Sequence, residues 1–147
     1  MSFLKIDNLS VNYKMRKETV NAVKNINIDV KKGEILGLVG ESGSGKSTLG
    51  NAIINLIDEP GKISGGKVIL DGINIHEKKE DILKYRGKKI GLIFQDPQTS
   101  LNPLLTIGEQ LIETIQTHLN FNLKESKDRA ITPVSYTHLR AHETEEN

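Results

Sequence analysis

Gly40, Gly45, Lys46 and Ser47 stand at the spacing G-x-x-x-x-G-K-S within GESGSGKST, residues 40–48. The chemistry these types can do together is phosphate binding. Gly40, Gly43 and Gly45 let a backbone curl around a phosphate with its N–H groups pointing inward. Glu41, Ser42 and Ser44 complete the loop between them. A helix beginning after Gly45 adds its positive dipole end. Lys46 is a mobile point charge for the β- and γ-phosphates of a nucleotide. The Ser47 hydroxyl can ligate Mg²⁺, and Thr48 can bond the α-phosphate. The competing reading is a glycine-rich turn that happens to carry a lysine. The flanking segments argue against it.

Those flanks must position the loop. Glu34 to Val39, EILGLV, is a short apolar run ending at a glycine, the pattern of a fully buried strand. After the loop, Leu49, Ala52, Ile53 and Leu56 recur at helical spacing, so a helix is predicted over 45–56, broken by Pro60-Gly61. Upstream, Leu4 and Ile6 alternate with polar residues, as do Ile26, Ile28 and Val30, which predicts two half-buried strands. Asp71-Gly72, between Val68-Leu70 and Ile73-Ile75, signals a hairpin. A short helix is predicted over 80–86, and KIGLIF, residues 89–94, reads as a second buried strand. Gln95 to Pro103 reads as loop. A helix is predicted over 106–119, with Thr106 as its cap.

The bulk numbers narrow the field. At 147 residues the chain has the length of about one domain. Its 20 basic and 19 acidic residues nearly cancel, so charge gives no reason to expect nucleic acid as a partner. Without cysteine, neither a disulfide nor a thiolate zinc site can form. The first 18 residues lack the apolar core of a signal peptide. No apolar run reaches the roughly 20 residues that cross a bilayer. A soluble chain that meets a membrane only through a partner protein is therefore expected.

The segment around Gln95 points to a family. GLIFQDPQTSLNPLLTIGEQ, residues 91–110, resembles the Q-loop of ABC transporter ATP-binding subunits, and FQDPQTSLNP is especially similar to the peptide and nickel importer group. VKKGEILGLVGESGSGKST (30–48) and GKISGGKVILDG (61–72) resemble the same group. PGKISGG and YRGKKIGLIFQDP look more like the first of the two ATPase subunits of a dipeptide or oligopeptide importer. The resemblance runs from about Leu4 to about Ile131. It implies an α/β fold, a P-loop NTPase (ABC ATPase) core with an antiparallel β subdomain, truncated at the start of the helical subdomain. It also implies ATP and Mg²⁺ as ligands.

The family's roles carry over residue by residue. Tyr13 falls where an aromatic ring stacks on adenine; a tyrosine packing locally in a strand is the plainer alternative. Gln95 falls at the glutamine that reaches Mg²⁺ and the attacking water, since an amide can both donate and accept. Lys46 and Gln95 are thus the catalytic candidates, and Ser47 and Gln95 the Mg²⁺ ligands. Asp96 to Pro103 would lie near the membrane-subunit contact. The implied partners are a second ATP-binding subunit in a head-to-tail dimer, two transmembrane permeases and an extracytoplasmic substrate-binding protein. The implied place is the cytoplasmic face of the membrane, held peripherally. Two other classes stay open: a soluble ABC-type ATPase with no transporter, and a nucleotide-binding module without catalysis.

Three features imitate motifs. Ser64-Gly65-Gly66-Lys67 resembles the family's LSGGQ signature but precedes the Q-loop, so the glycine pair reads as a turn into the Val68 strand. VILDG, residues 68–72, resembles a Walker B strand, yet Gly72 stands where the catalytic glutamate belongs. Of the four histidines, His76, His118, His138 and His142, the last two have i, i+4 spacing but no evident third ligand, and read as an accidental pair. After about Ala130 the signature, the Walker B Asp-Glu and the switch histidine are all missing. VSYTHLRAHET, residues 134–144, resembles a translated sequencing adapter. Residues 1–133 are therefore expected to be the N-terminal part of an ATP-binding domain, and 134–147 a non-native tail. Alone, such a chain is expected to bind nucleotide weakly without turning it over.

Overall fold

The computed structural model describes residues 2–77, 79–96 and 100–131. Two compact units divide between Ile90 and Gly91.

The first unit is built on a four-stranded antiparallel sheet. Its strands are β1 (Ser2–Lys14), β2 (Thr19–Lys31), β3 (Gly61–Leu70) and β4 (Ile73–Asn74), in the order β2-β1-β3-β4. Two helices accompany it, α1 (Lys46–Ile53) and α2 (Lys79–Tyr85). The predicted hairpin forms: Leu70 pairs with Ile73 across Asp71 and Gly72, both at positive φ.

Strand β1 is not a simple alternation. Its apolar positions run Leu4, Ile6, then Leu9, Val11 and Tyr13, so their parity changes in the middle. Asn8 makes the change, at φ 50. Asparagine tolerates the left-handed region better than most residues. One such residue re-aims every side chain after it. Neighbouring strands change parity with it. Asn25 in β2 also sits at φ 50, and Gly66 in β3 at φ 92. Side chains lock the break, with the Asn8 N–H donating to Asn27 Oδ1 at 2.9 Å and the Asn25 N–H donating to Ser10 Oγ at 2.9 Å.

Gly66 corrects the sequence reading. The glycine pair does not turn into a strand that starts at Val68; it lies inside β3 as an irregularity in pairing. A Cβ on Gly66 would lie 2.5 Å from the Asn8 carbonyl. The glycine is needed for close backbone approach, and the signature-like string is a strand.

With the parity change, one face of the sheet becomes wholly apolar. Ile6, Leu9, Val11, Val23, Val68 and Leu70 pack against Leu49 and Ala52 of α1, with Ile75 and Ile82 closing the cluster. α1 thus rests on the sheet through one face.

Two predicted strands do not form. Residues 34–39 and 91–94 have no strand structure, and the segment predicted over 89–94 keeps only an isolated bridge from Ile90 to Arg86. Ile35, Val39 and Ile93 are 97%, 95% and 91% exposed. An extended segment persists as a strand only when its N–H and C=O groups find a neighbour. Among the described residues neither segment has one. Helix α1 is also shorter than predicted. It stops at Ile53, so Leu56 lies beyond it and Pro60 does not end it.

In the second unit, α3 (Ile107–His118) begins at Thr106 as predicted. The Glu109 N–H donates to Thr106 Oγ1 at 3.2 Å, and the Thr106 N–H donates to Glu109 Oε2 at 2.8 Å. This reciprocal cap satisfies two groups that the helix start leaves unpaired. The Thr106 N–H and, at 2.8 Å, the Thr106 hydroxyl both donate to Glu109 Oε2 and lower the pKa of that carboxyl from its ordinary value. Gln110 reaches back from α3 to Asn102, its Oε1 accepting from the Asn102 N–H at 3.0 Å and its Nε2 donating to the Asn102 carbonyl at 3.1 Å. Residues 123–131 form a further helix that buries Ser126 and Ala130. Among the described residues, no helix is long and apolar enough to cross a membrane.

Candidate phosphate-binding site

Residues 40–48 form a loop that ends at the N-terminus of α1. Gly45 is the cap residue, at φ 90 and ψ 7, in left-handed backbone. The first helical bond follows at once, from the Leu49 N–H to the Gly45 carbonyl at 2.8 Å. Gly45 also lies directly under β2, where a Cβ would run into the Ala22 carbonyl. Two separate constraints therefore demand glycine here, one of backbone angle and one of space.

Lys46 points back over the loop. Its ammonium donates to the Gly40 carbonyl at 2.7 Å, the Glu41 carbonyl at 2.6 Å and Ser44 Oγ at 3.3 Å. An –NH₃⁺ has three donors, and the loop accepts all three. The charge is thereby held at the loop's centre. A cavity of about 360 Å³ opens beside it, walled by Ala22, Val23 and Ile26 of β2 on one side and by Gly40, Gly45, Lys46 and Leu49 on another. A larger groove of about 490 Å³ lies on the second unit, lined by Glu109, Ile112 and Lys127 among others. It has no glycine loop, and Glu109 and Glu113 put carboxylates on its wall, so volume does not identify the site; donor chemistry does.

The structure brings Gly40, Glu41, Ser42, Gly43, Ser44, Gly45, Lys46, Ser47 and Thr48 together as one continuous loop and first helical turn. Tyr13 stands on β1 opposite Val20 and Gly61, with its ring against Gly61. It is not among the cavity's lining residues. Gln95 is exposed and belongs to the second unit, whereas the loop cavity is lined by first-unit residues alone. Among the described residues, no cluster of three or more His, Asp or Glu side chains could hold a metal ion. His138, His142 and the tail from Val134 lie outside the described residues.

The far end of α1 carries residues that sequence reasoning gave no role. The Leu56 N–H bonds the Asn51 carbonyl at 2.8 Å, and the Asn55 N–H bonds the Ala52 carbonyl at 3.0 Å. With Asn55 at φ 54, this is a Schellman ending with asparagine in the position glycine usually takes. It leaves the Ile53, Ile54 and Asn55 carbonyls open. His76 Nε2 meets Ile53 O at 2.9 Å, Arg86 Nε–H donates to Ile54 O at 2.8 Å, and Arg86 Nη2–H donates to Asn55 O at 2.6 Å. The only prior signal was the cation of Arg86 itself, which suits a helix C-terminus, but no pattern tied it to α1.

A carbonyl only accepts, so His76 Nε2 carries a proton, and the buried Nδ1 has no partner among the described residues. Burial pushes the His76 pKa down; the Ile53 bond opposes this, and the Arg86 charge adds to the lowering. His76 therefore stays neutral in the fold at pH values where the unfolded chain, near 6.5, takes up a proton. When the unfolded state binds more protons, stability rises with pH. The stability that His76 contributes is thus complete above about pH 6.5 and declines as pH falls through the interval below it. Thermal melts between about pH 7.5 and 5.5 should show this decline, and His76→Gln should flatten it, since the amide still reaches a carbonyl without titrating. An unchanged slope in the variant would assign the decline to another group.

A glycine loop against a sheet, at a helix N-terminus and centred on a lysine, is the arrangement of the P-loop class. The ABC transporter family model matches residues 23–146, and the chain belongs to that family. It is 40% identical over 136 residues to the oligopeptide transport ATP-binding protein AppD of Bacillus subtilis, covering 88% of this chain and 40% of the relative. It is 41% identical over 132 residues to the dipeptide transport ATP-binding protein DppD of Escherichia coli, with 89% and 40% covered. The chain thus spans about 40% of the length of these curated relatives. Among solved structures, the ATP-binding cassette MJ0796, a dimer bound to ADP and Pi, superposes with a TM-score of 0.74 at 35% identity, over 88% of this chain and 54% of that one. CbiO1 of Clostridium perfringens, part of the transporter complex cbiONQ, gives 0.60 at 27% identity, over 87% and 47%.

Proposed function

We propose that this chain is part of an ATP-binding subunit that couples ATP binding and hydrolysis to the import of peptides, or of nickel, through partner permeases. The observation that carries this reading is the Lys46 ammonium held over a loop whose backbone enters a helix N-terminus. The names of the AppD and DppD relatives support peptide as the cargo.

The donor set suits a magnesium nucleotide. Backbone N–H groups of 40–48 and the ammonium of Lys46 are hard donors for phosphate oxygens. Ser47, in the first turn of α1, offers a hydroxyl oxygen to Mg²⁺, with Gln95 as a further ligand. Bound there, Mg²⁺ would neutralise phosphate charge. Lys46 holds the β- and γ-phosphates, and Thr48 bonds the α-phosphate. Gln95 orients the attacking water through its amide. The Tyr13 ring, supported on Gly61, offers a flat apolar surface for adenine.

The partners are a second ATP-binding subunit packed head to tail, two transmembrane permeases and an extracytoplasmic binding protein. The subunit sits peripherally on the cytoplasmic face. Residues 134–147 are a translated adapter, and a boundary near 133 rests on the tail's own sequence, since the family match continues to residue 146. A genomic read through Ile131 that continues into the same tail would overturn that.

With no signature, Walker B acid or switch histidine among these 147 residues, the chain by itself binds nucleotide weakly and does not hydrolyse it. ATP turnover above background, abolished by Lys46→Ala, would contradict this. For the intact protein, reconstitution with its permeases should give ATPase activity that rises when peptide-loaded binding protein is added. Full activity without permeases would favour a soluble, non-transport ATPase.

A further inference from the structure

We infer that Arg86 is a positioning residue for the phosphate site, acting through α1 from the end opposite the phosphates; this rests on the reading of residues 40–48 as a nucleotide site. The case begins with the length of α1. It has eight residues, so its last open carbonyls lie only about two turns from the N–H groups that face the loop. A helix this short is not stable by itself and depends on what holds its two ends. At the N-terminal end Gly45 bears on Ala22. At the C-terminal end the guanidinium takes two carbonyls in a single planar fork, at 2.8 Å and 2.6 Å. That fork sets the direction of the helix end, which a single bond could not do.

Arg86 is itself rigidly mounted. Its N–H bonds the Ile82 carbonyl at 3.0 Å, and the turn after it closes through Gly87 N–H to Ile90 O at 2.9 Å and Ile90 N–H to Tyr85 O at 2.9 Å. The cation also lies at the negative end of the α1 dipole, where a positive charge is favoured. A small cavity of about 220 Å³ lies beside the guanidinium, between Asn55 and Ile82. Loss of the fork leaves the C-terminal end of α1 with the single His76 contact at the Ile53 carbonyl, and the helix can then rock on its sheet. The N–H groups of its first turn move away from the phosphates.

The test is equilibrium binding of a fluorescent ATP analogue, with Mg²⁺, to the intact protein and to Lys46→Ala, Arg86→Ala, Arg86→Gln and Arg86→Lys. Affinity should fall about five- to tenfold in Arg86→Ala and Arg86→Gln, and only about two- to threefold in Arg86→Lys, whose point charge can still reach one carbonyl. Millimolar guanidinium should restore affinity to Arg86→Ala, because the vacated space beside the cavity admits it; equal urea or equal potassium chloride should not. General loosening of the fold would not respond to guanidinium alone. Should Arg86→Ala not fold, Arg86→Gln and Arg86→Lys carry the comparison. Unchanged affinity in Arg86→Gln, or recovery with urea as readily as with guanidinium, overturns the inference. If Lys46→Ala also binds unchanged, the nucleotide reading itself fails; if only Lys46→Ala loses binding, that reading stands and the role of Arg86 falls.

Discussion

Lys46→Ala should weaken nucleotide binding roughly 30- to 150-fold, corresponding to the loss of about 2–3 kcal/mol from charged hydrogen bonds to phosphate. The size follows from how the ammonium is held. All three donors of the ammonium are taken by loop oxygens at 2.6–3.3 Å, so a phosphate oxygen replaces one of them and the lysine exchanges a neutral acceptor for a charged one. The fold should hardly notice the change. Those three bonds are solvent-exposed, and water replaces them when the side chain is removed. The core cluster of Ile6, Leu9, Val68 and Leu49 is untouched. Calorimetric titration with MgATP beside a thermal melt separates the two effects. Loss of affinity together with a large drop in melting temperature would mean that the lysine holds the loop's structure rather than its ligand.

Gly45→Ala should cost affinity by a different route. Lys46 keeps its charge, but the residue before it must leave φ 90, where a side chain costs about 1–2 kcal/mol, and must also move off the Ala22 carbonyl. Both strains relax by tilting the first turn of α1 away from β2. Affinity should fall at least about tenfold, as the backbone donors lose their aim. The sheet pairs at Val11–Val23 and Ile6–Ile28 should survive, so far-ultraviolet circular dichroism should stay near that of the unaltered chain. Unaltered affinity in this variant would show that the contact with Ala22 does not shape the site.

How much of this was legible beforehand depended on whether the cause was local. The Asp71-Gly72 hairpin and the Thr106 cap each need only a few neighbouring residues, and both form as predicted. The loop at 40–48 is local too. The strands predicted at 34–39 and 89–94 are not. An apolar run says that a segment would be buried if a neighbour existed, and Ile35 at 97% exposure has none among the described residues. The parity changes at Asn8, Asn25 and Gly66 are visible as spacing only once the three strands are aligned. Asn55 ends α1 five residues before the proline that seemed to, because a single left-handed residue suffices. Arg86 and His76 stand 31 and 23 residues from the carbonyls they cap, a distance at which no pattern in one sequence gives warning.

In the proposed function, residues 40–48 hold the phosphates of a nucleotide. Hydrogen–deuterium exchange of the intact protein, with and without MgATP, reads those backbone N–H groups directly. Slowed exchange concentrated in peptides spanning 40–49, and absent in Lys46→Ala, is the predicted result; unchanged exchange there at saturating MgATP would contradict the account.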